Sequence, residues 1–363
     1  MRLLVINWQD WRHPMAGGAE VHLREVFTRV AARGVEVHVL SCNFKGGEEY
    51  EILEGIHIHR VGSRPTFNFF VPSKLRELER RFRFDVLIED LNKLPFYTKF
   101  YSSIPKKVAL LHHLFGRTIY EETNPLAATY VYLQERLIPK LYRDMPFIVV
   151  SESTKEELVA GGVPPGNIRV IYNGIDTEFF HPMKKYAQPT VLYINRFRRY
   201  KRPDLALKVF ASVKRRMPEV RFLMAGKGPF LPKVKAMAER MGVRVDFLGF
   251  VSEERKAELM ARSWVVLNTS AKEGWGLVNM EAFASGTPVV GFRVPGMRDS
   301  VRDGYNGFLV DYPDVEGAAE RLLRLLDDET LRMEMSRNAR EFAERFTWDR
   351  AAEDTLRFLK EIA

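Results

Sequence analysis

The sequence predicts an α/β protein built from two doubly wound, Rossmann-like units. Three observations carry that prediction. Strand-like and helix-like segments alternate from end to end, the pattern of parallel sheets with helical crossovers. The length of 363 residues suits two domains, at roughly 100–200 residues each. The alternation also stops once and restarts. Tyr172 to Gln188 holds Asn173-Gly174, Pro182 and a Lys pair without apolar periodicity, and reads as a linker. A cleft is expected between two such units.

The elements follow in order. Arg2 to Ile6 reads as a buried first strand. A loop with two Trp leads to Gly17-Gly18 and a helix, with Leu23, Val26, Phe27, Val30 and Ala31 on one face. Gly34 is a natural helix stop. Val35, Val37 and Val39 alternate as a second strand. Asp85 to Glu89, Lys107 to Leu111 and Phe147 to Val150 are further buried strands. Ser151 to Thr154 cap a short helix that ends at Gly161-Gly162. Beyond the linker, Thr190 to Ile194 is a strand, and Asp204 caps a helix with Ala206, Val209, Phe210 and Val213 on one side. Strands follow at Val220 to Ala225, Arg244 to Leu248, Trp264 to Leu267 and Pro288 to Phe292. Ser252-Glu253-Glu254 opens a helix, and the chain is expected to be helical from Pro313 almost to its end.

Composition excludes several classes. Apolar residues at 46% and charged residues at 28% describe a folded globular protein. Lys and Arg exceed Asp and Glu by 56 to 47, a formal charge of +9 that favours anionic partners. A single cysteine, Cys42, excludes an internal disulfide framework and fits a reducing compartment. No apolar run approaches the roughly 20 residues of a membrane span. The first residues lack the apolar core and cleavage site of a signal peptide, so a cytoplasmic location is expected.

The most informative stretch is Glu273-Gly274-Trp275-Gly276-Leu277-Val278-Asn279-Met280-Glu281. It follows a strand and opens a helix. Free N–H groups from Gly276, Leu277 and Val278 make an anion site. Glu281, about one turn inside the helix, is placed to hydrogen-bond a ribose diol, and Glu273 precedes the helix, pointing into the cleft. A second cluster, Arg196, Arg198, Arg199, Lys201 and Arg202, puts five cations in seven positions with no acid. It follows the Thr190–Ile194 strand, at the end where open sheets bind ligands. Such counter-charge suits a diphosphate that gains negative charge as a bond to it breaks. Gly17-Gly18 opens the first helix, Gly226-Lys227-Gly228-Pro229 forms a turn, and His112-His113 ends a strand on the cleft side.

These segments resemble glycosyltransferase family 4, the retaining E-x7-E enzymes of the GT-B fold. The resemblance rests on Glu273-Gly274-Trp275-Gly276-Leu277, Glu281-Ala282, Gly286-Thr287-Pro288-Val289-Val290-Gly291 and Val294-Pro295-Gly296. It extends to Gly17-Gly18-Ala19-Glu20, to Val149-Val150-Ser151-Glu152-Ser153-Thr154 and to Val170-Ile171-Tyr172-Asn173-Gly174-Ile175-Asp176. It implies an acceptor-side domain over 1–180, a nucleotide-sugar-binding domain over 181–345, and a helix over 346–363 that packs back on the first domain. It implies that Arg196 and Lys201 grip the donor diphosphate, that Glu273 meets the sugar hydroxyls, and that Glu281 meets the ribose. His112, with His113 as the alternative, would approach the transferred sugar. Gly17, Gly18 and Gly226 would lie against the donor, and Phe250 and Val251 near its base. Glu89-Asp90, with Asn92 and Lys93, would line the acceptor side. The residue before the family's Arg is usually Gly and is Asn195 here.

The expected function is therefore metal-independent, retaining transfer of a hexosyl group from a nucleotide-diphosphate sugar to an acceptor hydroxyl on a glycan, lipid-linked or small molecule. No cofactor is expected. The D-x-D metal motif is missing, as are a Cys cluster, an H-x-x-x-H pair and a G-x-x-x-x-G-K-[ST] loop. An epimerase acting on nucleotide sugars is the rival among enzymes. A basic nucleic-acid-binding protein is the rival of another class, without the cationic helix or stacking sheet it would need. A nicotinamide oxidoreductase lacks its fingerprint, since Leu231 stands where the third glycine belongs. One further expectation is peripheral docking on an anionic membrane. Phe67, Phe69, Phe70 and Val71 cluster, Leu75, Leu78 and Phe82 continue at helical spacing, and five cations over 74–83 outnumber Glu77 and Glu79.

Overall fold

The computed structural model describes residues 1–92 and 94–362. Along the chain these residues form β1 (Arg2–Ile6), α1 (Gly18–Ala32), β2 (Glu36–Asn43), β3 (Tyr50–Leu53), β4 (Ile56–Ser63), α2 (Phe67–Arg81), β5 (Val86–Asp90), β6 (Lys106–Leu111), α3 (Pro125–Leu141), β7 (Phe147–Val149), α4 (Glu152–Ala160) and β8 (Ile168–Val170). They continue with β9 (Thr190–Ile194), α5 (Pro203–Arg216), β10 (Arg221–Ala225), α6 (Leu231–Met241), β11 (Asp246–Gly249), α7 (Glu253–Arg262), β12 (Val265–Asn268), α8 (Leu277–Ala284), β13 (Val289–Phe292), α9 (Met297–Ser300), β14 (Gly307–Val310), α10 (Val315–Asp327), α11 (Glu329–Ala343) and α12 (Trp348–Ile362). The chain divides into two compact units. One comprises Met1–Arg117, Pro125–Gly174 and Trp348–Ala363, the other Thr118–Asn124 and Ile175–Thr347.

The described residues of the first unit form a sheet in the order β3-β4-β2-β1-β5-β6-β7-β8. Neighbours are parallel except β3 and β4. The order reverses at β1, so the loops leaving β1 and β5 flank a topological switch point. The Val35–Val39 alternation reads as a half-buried strand, but β2 is buried along nearly its whole length. Helices cover the central strands β1, β2 and β5, so both faces are dry there. Phe67, Val71, Leu75 and Leu78 of α2 pack on Leu4, Ile6, Leu40 and Leu87, while Ile138 and Tyr142 meet Ala109, Leu111, Phe147 and Val149. Leu23, Val26, Phe27 and Val30 of α1 are buried as their spacing predicts. The terminal helix α12 lies on α1, with Arg33 reaching Asp349 and Glu353 at 3.3 Å.

The antiparallel β3–β4 hairpin has no counterpart in the sequence reading. Glu54 and Gly55 turn it with φ of 50° and 83°, the left-handed pair that a two-residue hairpin turn requires.

The second unit's sheet runs β11-β10-β9-β12-β13-β14, parallel throughout. Its switch point lies between β9 and β12. Three details differ from expectation. The α5 cap is Arg202, with φ of 49°, and Asp204 sits in the first turn holding its guanidinium at 2.9 Å. Strand β14 precedes Pro313. The helical tail is three helices, with Asp328 ending α10 and capping α11 through the N–H of Leu331 at 2.9 Å.

Candidate functional site

In the second unit the switch point gathers the predicted residues. The loop after β9 carries Arg196 to Arg202 and the loop after β12 carries Glu273. Lys201 Nζ meets Glu273 Oε1 at 2.6 Å, joining residues 72 positions apart. Lys201 is 9% exposed. Burial pulls its pKa down, but the Glu273 carboxylate outweighs that and raises it, so the ammonium stays charged. The Glu273 carboxylate lies on Lys201, and its N–H donates to Pro295 O at 3.1 Å. Gly296 permits this approach, because a Cβ there would stand 2.2 Å from Glu273 O.

The basic loop is less uniform than its sequence. Arg202 is tied to Asp204 and the Tyr312 hydroxyl, and Arg198 lies 3.7 Å from Glu122. With Lys201 on Glu273, three of the run's five cations therefore meet an acid that comes from outside the run. Arg196 and Arg199 are exposed.

A buried amide network holds the two loops. Asn195 Nδ2 reaches Asn268 Oδ1 at 3.4 Å, and Asn268 Nδ2 donates to Asn279 Oδ1 at 2.8 Å. Asn279 Nδ2 then donates to Ser300 Oγ at 3.0 Å. These side chains come from the ends of β9 and β12 and from α8 and α9. Asn195, where the family usually has Gly, thus has a structural use.

Gly276 begins α8 in the left-handed region at φ 79°. The N–H groups of Gly276, Leu277 and Val278 fall where a helix has no internal acceptors for them. One turn on, Glu281 Oε1 accepts from Lys256 Nζ at 2.8 Å, while its Oε2 is buried with no hydrogen-bond partner. Lys256 also touches Glu253 at 2.5 Å. Burial raises the Glu281 pKa against the pull of Lys256. An unpaired buried carboxylate oxygen is costly, and a ligand hydroxyl donating to it removes that cost.

Gly226 and Gly228 have φ of 131° and 158°. A Cβ on either would strike the backbone of Asn195 or Phe197, at 1.9 and 2.4 Å. Their first use is therefore to let the turn pack against the basic loop. The same turn bonds to the end of β11, through Gly226 N to Gly249 O at 2.7 Å. Phe250 is 70% exposed and lies under Lys227 Nζ at 4.6 Å. Val251 is half-buried.

The first unit assembles a separate polar group at its own switch point. Gly17 caps α1, and its N–H donates to the buried Glu20 carboxylate at 2.5 Å. His112 Nε2 lies 3.2 Å from Asp90 Oδ2 at the end of β5. Burial lowers the His112 pKa, and Asp90 with Glu20 more than reverses it, so the ring is held towards imidazolium. Asp90 Oδ1 is buried without a partner. His22 stacks edge-on at 5.0 Å from His112, with its Nδ1 on Asn173 Oδ1 at 2.7 Å, and burial drives its pKa down to about 3. His113 lies against Phe115.

Glu89 is not an acceptor-side residue. It is fully buried and accepts from the N–H groups of Phe96, Tyr97 and Thr98, the Tyr142 hydroxyl at 2.8 Å and the Thr98 hydroxyl. Lys93 lies outside the described residues. Sequence reasoning singled out neither His22 and Lys256 nor the Asn268–Asn279 link, and named Asn173 only as part of the 170–176 stretch. Glu20 is visible only as the last residue of Gly17-Gly18-Ala19-Glu20.

Among the described residues no helix is long and apolar enough to cross a membrane. Residues 16–179 match Glycosyltransferase Family 4, and residues 175–342 match Glycosyl transferases group 1. The chain is 27% identical to N-acetyl-alpha-D-glucosaminyl L-malate synthase of Bacillus anthracis, over 91% of this chain and 90% of the relative. Its structure is similar to sucrose-phosphate synthase from Thermosynechococcus elongatus, with TM-score 0.85, 20% identity and coverage of 99% and 98%. It is similar to Alr3699/HepE of Anabaena, solved with UDP and glucose, with TM-score 0.77, 19% identity and coverage of 99% and 100%. With both halves matched in sequence and two doubly wound units in the structure, this chain belongs to the family 4-like glycosyltransferases of the GT-B fold.

Proposed function

We propose that this glycosyltransferase moves a hexosyl group from a nucleotide-diphosphate sugar to an acceptor hydroxyl, with retention at the anomeric carbon and without a metal ion. The observation that carries the reading is the second unit's switch point. There a charged Lys201 lies on Glu273, and Glu281 keeps one buried oxygen open, one turn beyond a helix N-terminus. Arg196 and Lys201 neutralise the leaving diphosphate, where a metal would otherwise serve. Glu281 receives the ribose hydroxyls, and Glu273 the hydroxyls of the sugar. Gly276, Leu277 and Val278 offer N–H groups to phosphate. The Gly17-Gly18 loop, Gly226, Phe250 and Val251 keep the donor contacts that the family resemblance implies, and His112 its contact with the transferred sugar. No side chain acts as an enzymatic nucleophile in this reading. The acceptor attacks on the face the diphosphate leaves, and the departing diphosphate takes its proton. Alr3699/HepE, solved with UDP and glucose, supports the donor class.

Thermal stabilisation by UDP, GDP, ADP and their sugars identifies the base. Proton NMR of the product then reads the anomeric configuration, and the assay is repeated in EDTA. Retention and full activity in EDTA are expected. An inverted linkage, or activity restored by Mg²⁺ after chelation, contradicts the mechanism. Sugar rearranged but never found in an acceptor selects the epimerase.

The acceptor is proposed to be a glycan or lipid-linked hydroxyl reached by peripheral docking of the first unit. Leu75 and Leu78 pack into the core, as an ordinary crossover helix requires, but Phe69 and Phe70 are 81% and 45% exposed. On α3, Leu126, Tyr130, Leu133 and Leu137 are also exposed. Co-sedimentation with anionic liposomes that weakens with salt, and with Arg80, Arg81 and Arg83 changed to Ser, is the expected outcome. Protein remaining in the supernatant at low salt favours a soluble acceptor.

A further inference from the structure

We propose that the β2–β4 edge of the first unit is a binding site for a divalent transition-metal ion such as Zn²⁺, held by Glu36, His38 and His57. The ligand atoms of these three side chains all lie within 4.8 Å of one another, the one such group found among the described residues. The sheet builds the group by register. His38 stands opposite His57 in the parallel pair, and Glu36 precedes His38 by two residues, so all three share one face. The two imidazoles stack at 4.5 Å with 13° between their planes.

Each ring is oriented through its other nitrogen, as in established metal sites. His57 Nδ1 is 2.8 Å from the Tyr50 hydroxyl, which leaves Nε2 for the ion. His38 Nδ1 is 3.0 Å from His59 Nε2, and His38 Nε2 is 2.9 Å from Glu36 Oε1. The ion replaces the proton between His38 and Glu36. His38 and His59 then exchange tautomers together, His38 donating from Nδ1, so no net proton leaves the pair. Bonds of roughly 2.0–2.2 Å require the His38–Glu36 contact to open by a few tenths of an ångström and the stacked His57 ring to turn, so that both imidazole lone pairs meet the ion.

Arg2 Nε lies 2.7 Å from Glu36 Oε1 and is the cation an incoming metal must displace or share with. Glu36 has a side chain 38% exposed, giving the ion a way in and a place for water as fourth ligand. The group lies at the N-terminal ends of β2 and β4, away from the strand ends that carry Asp90 and His112. Its role is structural: it clips β4, and with it the β3–β4 hairpin, to the sheet.

The test uses the whole protein, stripped with EDTA and dialysed. Calorimetric titration with ZnCl₂ should give one ion per chain and a raised unfolding temperature that EDTA reverses. Co²⁺ should give the strong visible bands of a tetrahedral site. His57→Ala and Glu36→Gln should each weaken binding by at least about tenfold, and Tyr50→Phe by about tenfold, the effect of losing an outer partner. Glycosyl transfer should not change in any of them, which separates this site from the catalytic reading. Circular dichroism confirms that each variant is folded. Absence of saturable Zn²⁺ uptake by the wild type overturns the proposal, as does a folded His57→Ala that binds with wild-type affinity.

Discussion

Buried acids near the switch points of the two units are of two kinds. In the first unit Glu89 is enclosed by three N–H groups and two hydroxyls, from a loop that folds back over the end of β5 and from α3's C-terminal side. Glu135 is used in the same way, accepting from the N–H groups of Phe115 and Gly116 at 2.9 and 2.8 Å. In the second unit Glu281 has one cation on one oxygen and nothing on the other. Glu89 is fully buried and Glu281 partly so, but the unpartnered Glu281 oxygen is itself enclosed. What separates them is how many donors the protein itself supplies. An acid saturated by donors of its own chain holds a fold together, whereas an open buried oxygen leaves room for one more donor.

Glu89→Ala tests the saturated side most severely. Each buried donor left unpaired costs about 1–3 kcal/mol, so a loss of at least about 4 kcal/mol is expected in denaturant unfolding. A loss under about 1 kcal/mol would mean that water replaces the carboxylate freely, and the contrast would collapse. Next comes Lys201→Ala. It should cut kcat by about 10²–10³-fold, the typical effect of removing a group that stabilises developing charge, with a smaller change in donor affinity. If only KM rises, Lys201 is a uniform binding group.

Glu281→Ala addresses the open side. It should weaken nucleotide binding by about 1–3 kcal/mol in calorimetry, while disturbing stability far less than Glu89→Ala does. Equal loss of stability in the two variants would erase the distinction. The smallest expected effect concerns Asp90, an acid of the first unit with an unpartnered buried oxygen. The His112 pKa is raised above its ordinary value, so the pair's stabilisation is complete below about 6.5 and is lost as pH rises through the folded value. Unfolding temperatures of wild type and Asp90→Asn should therefore differ most in mild acid and converge in base. Parallel curves would show that His112 does not titrate against Asp90.

Neighbouring residues show where sequence reading reaches its limit. Glu89 and Asp90 were read as one acceptor-side pair, yet a strand sends adjacent side chains to opposite faces. Glu89 met the returning loop and Asp90 met His112. The spacing could not show which acid would be saturated, because the donors at Phe96 to Thr98 and Tyr142 arrive from elsewhere in the chain. The basic run after β9 failed in the same way. Its composition was plain, but Glu122, Asp204 and Glu273, which engage three of its members, lie outside it.

By itself the sequence determined what depends on near neighbours. Alternating strand and helix patterns made the chain α/β, because burial on a sheet or helix face repeats every two or about 3.6 residues. Glu273, Gly276 and Glu281 were legible as a unit because one loop and one helix start place them together. Tertiary structure decided everything that needs two distant segments. It paired Lys201 with Glu273 and Lys256 with Glu281, and bound Asn195 to Asn268. It also set His38 beside His57 across two strands, where no sequence spacing announces a ligand group. The reason is physical: strand register and loop return fix these distances, and both are set by packing of the whole sheet rather than by the residues that end up in contact.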